Sequence, residues 1–131
     1  MKTLKSLSHL FLLAFSAILF ISCRSDSNDD NSGGNTYPKQ VSITYRITST
    51  TKSSLFHIAY KNEIGGTTEV NNPALPFTKT FTRTVNQFDN LSLSCSSTTS
   101  QTVKLEILVD NKVVNSTENT NTISSVAYVF P

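Results

Sequence analysis

Residues 103–114, VKLEILVDNKVV, contain the strongest structural signal in this chain. Apolar residues at 103, 105, 107 and 109 alternate with Lys104 and Glu106, which is the two-residue period of a strand with one buried face. The alternation places Lys104 and Glu106 on the outward face. Asp110-Asn111 then predicts a tight turn, after which Val113-Val114 returns. The stretch therefore predicts an antiparallel hairpin.

The same alternation recurs on both sides of this hairpin. Lys79 and Arg83 share the apolar side of the stretch 77–85, which is typical of an edge strand. Phe56, Ile58 and Tyr60 are predicted on one inward face. No segment has the period of an amphipathic helix. The predicted strands are 41–47, 56–60, 67–70 after the turn Asn62 to Gly66, 77–85, 91–95, 103–109 and 125–130. Residues 37–131 are thus predicted to form an all-β domain, an immunoglobulin-like antiparallel sandwich of about seven strands.

The start of the chain has the features of a secretory leader. Lys2 and Lys5 precede an apolar run at 10–21. This run is shorter than the about 20 apolar residues that a helix needs to span a bilayer, so it is typical of a signal peptide. The run ends in Leu19-Phe20-Ile21-Ser22-Cys23, which resembles a bacterial lipobox. The resemblance implies that residues 1–22 are a lipoprotein signal peptide and that Cys23 is lipidated. A buried or paired cysteine is the alternative.

Residues 23–36 are predicted to be the lipidated cysteine followed by a flexible acidic tether. Residues 24–36 contain no large apolar side chain and include Asp26, Asp29 and Asp30, so they cannot bury enough surface to offset their ordering entropy. The acidic cluster also resembles the export signal on surface lipoproteins of the Bacteroidetes, whereas a solvated linker explains it equally. The expected location is the cell envelope, on the outer membrane, with surface exposure as the further expectation.

Several features of residues 41–130 together resemble a known family. They are the Tyr-ended strand 55–60 with its polar, Gly-containing turn, the Leu75-Pro76-Phe77 step, the stretch 91–94, and the stretch 105–110 with its short turn. This succession is similar to the small membrane-protein family MmpS. The resemblance implies an immunoglobulin-like accessory protein that works beside a membrane exporter of the RND type.

The chain offers little for catalysis or for metal binding. The chain has eleven Lys and Arg, of which two lie in the leader, so the nine that remain balance nine Asp and Glu and the formal charge of residues 23–131 is zero. No stripe of basic residues predicts a nucleic-acid partner. His57 is predicted on an outward strand face without triad partners, and Cys95 as a small buried hydrophobe. A weak calcium site at Asp110-Asn111 with Glu106 or Glu118 is the alternative to a plain turn. The expectations are no enzyme, no metal and no cofactor.

Two non-enzymatic functions remain from the sequence. The first is an envelope lipoprotein, held to the membrane by its lipid, that acts as a protein-interaction or transport-accessory module with an envelope partner such as an exporter. The alternative is a ligand-binding lipoprotein that holds a glycan or a small apolar molecule. Such a ligand would use exposed rings, and Phe77 and Phe88 are the expected ones because they lie near loops.

Overall fold

The computed structural model describes residues 36–131, which fold into six antiparallel strands and contain no helix. The strands are β1 Lys39–Ser49, β2 His57–Lys61, β3 Thr67–Asn71, β4 Phe77–Val85, β5 Asn90–Val109 and β6 Lys112–Val129. None of the described residues forms a helix of the length and apolarity that crossing a membrane requires. The all-β antiparallel prediction is confirmed.

The strand count differs from the prediction because two strands are long. β5 has 20 residues and β6 has 18, so each contains two stretches that the sequence predicts as separate strands. Their pairing skips Val114 of β6 near the hairpin turn, and its larger interruption lies where residues 97–100 of β5 stand opposite Thr122 alone. Such a bulge bends a strand without ending it. The domain therefore has six strands, where about seven were predicted.

The bend in β5 and β6 divides one sheet into two facing halves. The strand order is β3-β2-β5-β1-β4, with β6 on the other edge of β5. Leu93 of β5 pairs with β2 before the bend, and Ile107 pairs with β1 after it. The ring of Tyr45 in β1 lies 5.5 Å from that of Tyr60 in β2. These two strands do not pair with each other, since each is bonded to a different half of β5. The sheet thus curls around its core.

The core is built from the inward positions that the alternation predicts. The side chains at 41, 43, 45 and 47 of β1, at 91, 93 and 95 of β5, and at 103, 105 and 107 farther along β5 are all buried. Tyr45 also donates its hydroxyl hydrogen bond to the carbonyl oxygen of Lys61 at 2.9 Å, which ties the two halves together. β4 lies at the end of the strand order, as its inward Lys79 and Arg83 predict.

Turn residues adopt the conformations that their sequence predicts. Asp110 and Asn111 have φ of 49° and 64°, two successive left-handed residues as in the tight hairpin turns that match strand twist. Gly65 has φ of 80° in the turn between β2 and β3. This positive φ favours glycine, and a Cβ at this position would lie 3.1 Å from Nη2 of Arg83, so the guanidinium would have to shift slightly to admit a side chain.

We call the two ends of the domain proximal and distal. The proximal end contains the start of β1 and the turns 62–66, 86–89 and 110–111. The distal end contains the loop 50–56, the loop 72–76 and the bend 97–100. Lys39 at the start of β1 pairs with Val85 next to the turn 86–89, while Ser49 at its end pairs with Val103 next to the bend.

Candidate functional site

Two loops and the β5 bend meet at the distal end. The amide of Leu75 donates to the carbonyl of Ser53 at 2.8 Å, and the amide of Leu55 donates to the carbonyl of Pro73 at 3.0 Å. The amide of Phe56 donates to Ser96 of β5, also at 3.0 Å. These backbone bonds hold the loop 50–56 between the loop 72–76 and the bend.

Gln101 anchors this arrangement from inside. Its side chain is buried, and its Nε2 donates to the carbonyl of Ser54 at 3.3 Å. Nearby, the hydroxyl of Ser49 donates to the carbonyl of Thr102 at 2.8 Å and accepts from the amides of Thr51 and Lys52. A buried polar side chain with its partners in place fixes one loop conformation. The loop is therefore held in place before any ligand arrives.

Between these segments lies a recess of about 360 Å³, which we call the distal groove. A second recess of about 650 Å³ borders the loop 50–53 and Leu75-Pro76, and Lys52 lines both. The distal groove is lined by Lys52, Ser54, Leu55, Phe56, Asn72, Ser97, Thr98, Thr99 and Gln101. Its size is at the lower end of the range for small-molecule sites.

The lining of the distal groove offers groups that can bind a ligand. It presents hydroxyls, the Asn72 amide, the Lys52 ammonium and the ring of Phe56. Catalysis by proton transfer or nucleophilic attack needs a base within hydrogen-bond reach of the reacting group. No His, Asp, Glu or Cys is among the residues that line the groove. The arrangement can stack against a flat or apolar group and donate or accept hydrogen bonds around it.

Phe56 is exposed to 56%, so its predicted inward position is wrong. Leu55 takes the buried place instead, because β2 begins only at His57 and the chain bends at Phe56. Of the two rings predicted to be exposed, Phe88 is exposed to 73%, as expected. Phe77 is packed against the core, with its ring 6.1 Å from that of Tyr60, so its prediction is wrong.

The sequence contained a partial signal for the groove. Ser53-Ser54 interrupts the alternation just before Leu55, and Asn72-Pro73 marks a turn. Neither signal says that the two loops meet. Asn72 has φ of 51°, a conformation that asparagine tolerates better than most residues. Lys52 and Asn72 were not predicted as site residues, because no local pattern shows that their two loops line one groove.

His57 lies on the outward face of β2. Its Nε2 is 3.7 Å from Oε2 of Glu69 on the neighbouring strand β3, and its side chain is about a quarter exposed. Its cross-strand neighbours are Asn71 and Ser96. The contact with Glu69 joins β2 to β3 across their outward face.

Cys95 is buried, as the alternation predicts. Burial raises the pKa of its thiol from 9.0 to about 11, while a backbone hydrogen bond involving Ser124 acts in the opposite direction. A thiol of this kind is not a reactive nucleophile. Within residues 36–131, no group of three or more His, Cys, Asp or Glu could hold a metal ion. Oδ1 of Asp110 instead accepts from the amide of Ser42 at 2.9 Å.

Glu106 lies on the outward face, as the alternation predicts, and is nevertheless buried. Its Oε1 is 2.9 Å from Nζ of Lys104 and its Oε2 is 3.2 Å from Nη1 of Arg46. The hydrogen bond from Lys104 is the main cause that lowers the pKa of its carboxyl below 4.5, with Arg46 adding to it and burial opposing.

The predicted lipidation site, Cys23, lies outside the described residues, as do the signal peptide 1–22 and nearly all of the tether 23–36. A scan against protein-family models gives no match for this chain. A search of curated proteins finds no significant relative.

Proposed function

We propose that this protein is a lipid-anchored lipoprotein of the bacterial envelope whose β domain is a non-enzymatic binding module for an envelope partner. The lipobox-like segment ending at Cys23 supports the anchor. The distal groove supports binding, because its loops are held by a buried hydrogen bond from Gln101 and its lining contains no His, Asp, Glu or Cys. The exposed ring of Phe56 is the single observation that carries the site.

The partner is proposed to be a protein, and the resemblance to exporter-associated proteins points to a membrane exporter. Aromatic residues, phenylalanine among them, are enriched in the cores of protein interfaces. Phe56 is such an anchor, because its backbone is held by bonds to Ser96 and Asn72 while its ring stays free.

Photo-crosslinking from position 56 tests this partner. A photoreactive phenylalanine analogue replaces Phe56 in the full chain, expressed in native membranes, and the matched control carries the analogue at exposed Thr84 of β4. We expect one discrete adduct from position 56 and none from position 84. Equal adducts from both positions, or none from either, would contradict a partner site at the groove.

A second candidate is that the groove holds a glycan or a small apolar molecule. It is favoured by the placement of the Phe56 ring beside the side chains of Ser54, Thr98 and Asn72, since small-ligand sites combine an apolar wall with a few placed polar groups. Titration with oligosaccharides, followed by NMR, tests it. Phe56→Ala should abolish binding, whereas Phe88→Ala, which removes an exposed ring at the other end, should not.

Anchoring itself is tested by Cys23→Ala. Two or more acyl chains hold a protein stably on a bilayer, so we expect the variant to lose palmitate labelling and to move to the soluble fraction. Equal membrane retention of variant and native protein would overturn the lipoprotein proposal.

A further inference from the structure

Exposed apolar side chains are concentrated at the proximal end. Six large hydrophobic residues are exposed within residues 36–131, and four of them lie at this end: Ile64 87%, Phe88 73%, Val129 54% and Val113 51%. Ile64 and Phe88 project from the turns 62–66 and 86–89. Val129 pairs with Asn90 directly after the second turn, and Val113 follows the hairpin turn 110–111. Apolar groups at adjacent tips indicate a contact surface.

The turns that carry these side chains are fixed to one another. Gly65 lies against the guanidinium of Arg83, and Nη2 of Arg83 is 3.3 Å from Oδ2 of Asp89. The turns 62–66 and 86–89 therefore sit side by side. The hairpin turn is joined to β1 by two bonds between Asp110 and Ser42, of 2.8 and 2.9 Å. The tips consequently form one surface.

Phe88 is held outward by a backbone that few bulky residues adopt. Its φ is 67°, in the left-handed region where a bulky side chain is an outlier. Its amide donates to Phe130 at 2.9 Å, the amide of Phe130 donates to Asp89 at 2.9 Å, and Oδ2 of Asp89 accepts from the amide of Asn86. Strain that the surroundings maintain in this way is typical of functional positions.

The position of the chain before β1 indicates what this surface meets. The ring of Tyr37 lies 6.5 Å from that of Phe130, whose backbone holds Phe88, so the chain enters the domain at the proximal end. Cys23 precedes Thr36 by 13 residues, which span at most about 45 Å. A lipid on Cys23 therefore keeps this end within a short distance of the bilayer.

Charge at the proximal end is close to balanced. The residues in or next to the proximal turns and the start of β1 include four cations, Lys39, Lys61, Arg83 and Lys112, and three anions, Glu63, Asp89 and Asp110, and Arg83 and Asp89 form an ion pair. Electrostatic attraction to anionic lipid would therefore add little to membrane binding by this surface. Burial of its apolar side chains would supply most of the binding free energy.

We propose that the proximal end docks on the lipid bilayer, with Phe88 and Ile64 entering the region between headgroups and acyl chains. The proposal rests on the lipid anchor of the proposed function. Phenylalanine and large aliphatic side chains are the apolar residues that enter this boundary in interfacial membrane-binding segments. Docking directs the distal groove away from the bilayer, where an envelope partner can reach it.

The absence of tryptophan from the chain allows a direct test. Phe88→Trp and Ile64→Trp each create a single fluorescent probe in the full chain, and Phe56→Trp at the distal end is the matched control. The lipidated proteins are placed on phosphatidylcholine vesicles with or without brominated acyl chains. We expect a blue-shifted emission and at least twofold stronger quenching by brominated lipid for the probes at 88 and 64 than for the probe at 56.

Flotation of the same samples separates this proposal from the anchor. Protein that floats with the vesicles while all three probes respond alike overturns docking and leaves the anchor standing. Protein that does not float, with an unquenched probe at 88, overturns both. If the emission of the probe at 88 is blue-shifted in native membranes but not on pure lipid vesicles, the proximal end docks on a membrane protein and not on the lipid, which overturns the proposal. Circular dichroism confirms folding, and the Ile64 probe avoids the strained backbone of Phe88.

Discussion

Within residues 36–131, Glu106 is the one charged residue that is buried. It is covered because Arg46 on β1 and Lys104 on its own strand both reach across it. The carboxylate gains two cationic donors, and each cation stays about half exposed. An arrangement of this kind contributes modestly to stability, because solvent screens the exposed partners.

Replacing Glu106 with Gln should destabilise the domain at neutral pH by about 1 kcal/mol or less. Because Lys104 holds the carboxyl pKa below its usual value, the stabilisation is present above pH 4.5 and is lost as pH falls through the lowered pKa. The difference in stability between the two proteins should therefore shrink as the pH is lowered below 4.5, as measured by urea unfolding. A constant difference from pH 7 to pH 3 would show that the effect is packing and not charge.

Cys95 should be protected from thiol reagents in the folded protein. A pKa of about 11 leaves about a hundredfold less thiolate than the ordinary value of 9.0, and burial adds a steric barrier. In the Cys23→Ala variant, where Cys95 is the one remaining thiol, we expect labelling at pH 8 to be at least 100-fold slower than after denaturation. Labelling at the rate of a free thiol would show that Cys95 is accessible.

At the scale of elements, the hairpin between β5 and β6 depends on its two turn residues. Both have positive φ, and a β-branched residue strongly disfavours that conformation. Asn111→Val should cost about 1–2 kcal/mol, whereas Asn111→Gly should keep or slightly raise the stability. The matched control is Lys112→Val, which adds the same side chain one residue later at an exposed strand position.

Thermal unfolding of the three variants distinguishes the causes. If Lys112→Val is as destabilising as Asn111→Val, the loss comes from the valine side chain and not from the turn conformation. If Asn111→Gly is strongly destabilising, the asparagine side chain itself is required.

The length of β5 and β6 decides how the halves of the domain are joined. β5 pairs with β2 before its bulge and with β1 after it, and no loop separates the two paired stretches. Any force that opens one half is transmitted along β5 to the other, so the two halves are expected to unfold together.

At the scale of the molecule, residues 37–131 should fold alone. The core is fully buried without a disulfide, and a chain of about 95 residues can bury enough surface to be stable. We expect a β-type circular dichroism spectrum and one cooperative urea transition. Two separate transitions would contradict the joining of both halves through β5 and β6.

Ile107→Asp in the same fragment should prevent folding. Its side chain has no exposed surface, and a buried unpaired carboxylate costs several kcal/mol against the roughly 5–15 kcal/mol that hold a domain together. Thr84→Asp, which places the same carboxylate on the exposed face of β4, should leave the transition nearly unchanged. Unfolding by both substitutions would show that the fragment is only marginally stable.

Local patterns determined much of this fold without tertiary information. Alternation identified the inward residues of β1, β4 and β5, because the side-chain period of a strand is set by its own backbone. Asp110-Asn111 predicted its turn for a similar reason, since few residues accept positive φ. The resemblance of the leader to a lipobox is equally local, and Cys23 stays a prediction.

Only the tertiary structure decided what covers each position and which loops meet. Alternation assigns a side chain to a face, but Glu106 is buried because Arg46 lies beside it, 60 residues earlier in the chain. Phe56 is exposed because two backbone hydrogen bonds fix the bend before β2. The amide of Asn72 donates to the carbonyl of Phe56, and the amide of Phe56 donates to the carbonyl of Ser96 in β5. The distal groove and the proximal apolar surface both arise in this way, from contacts between segments far apart in sequence, which no local period encodes.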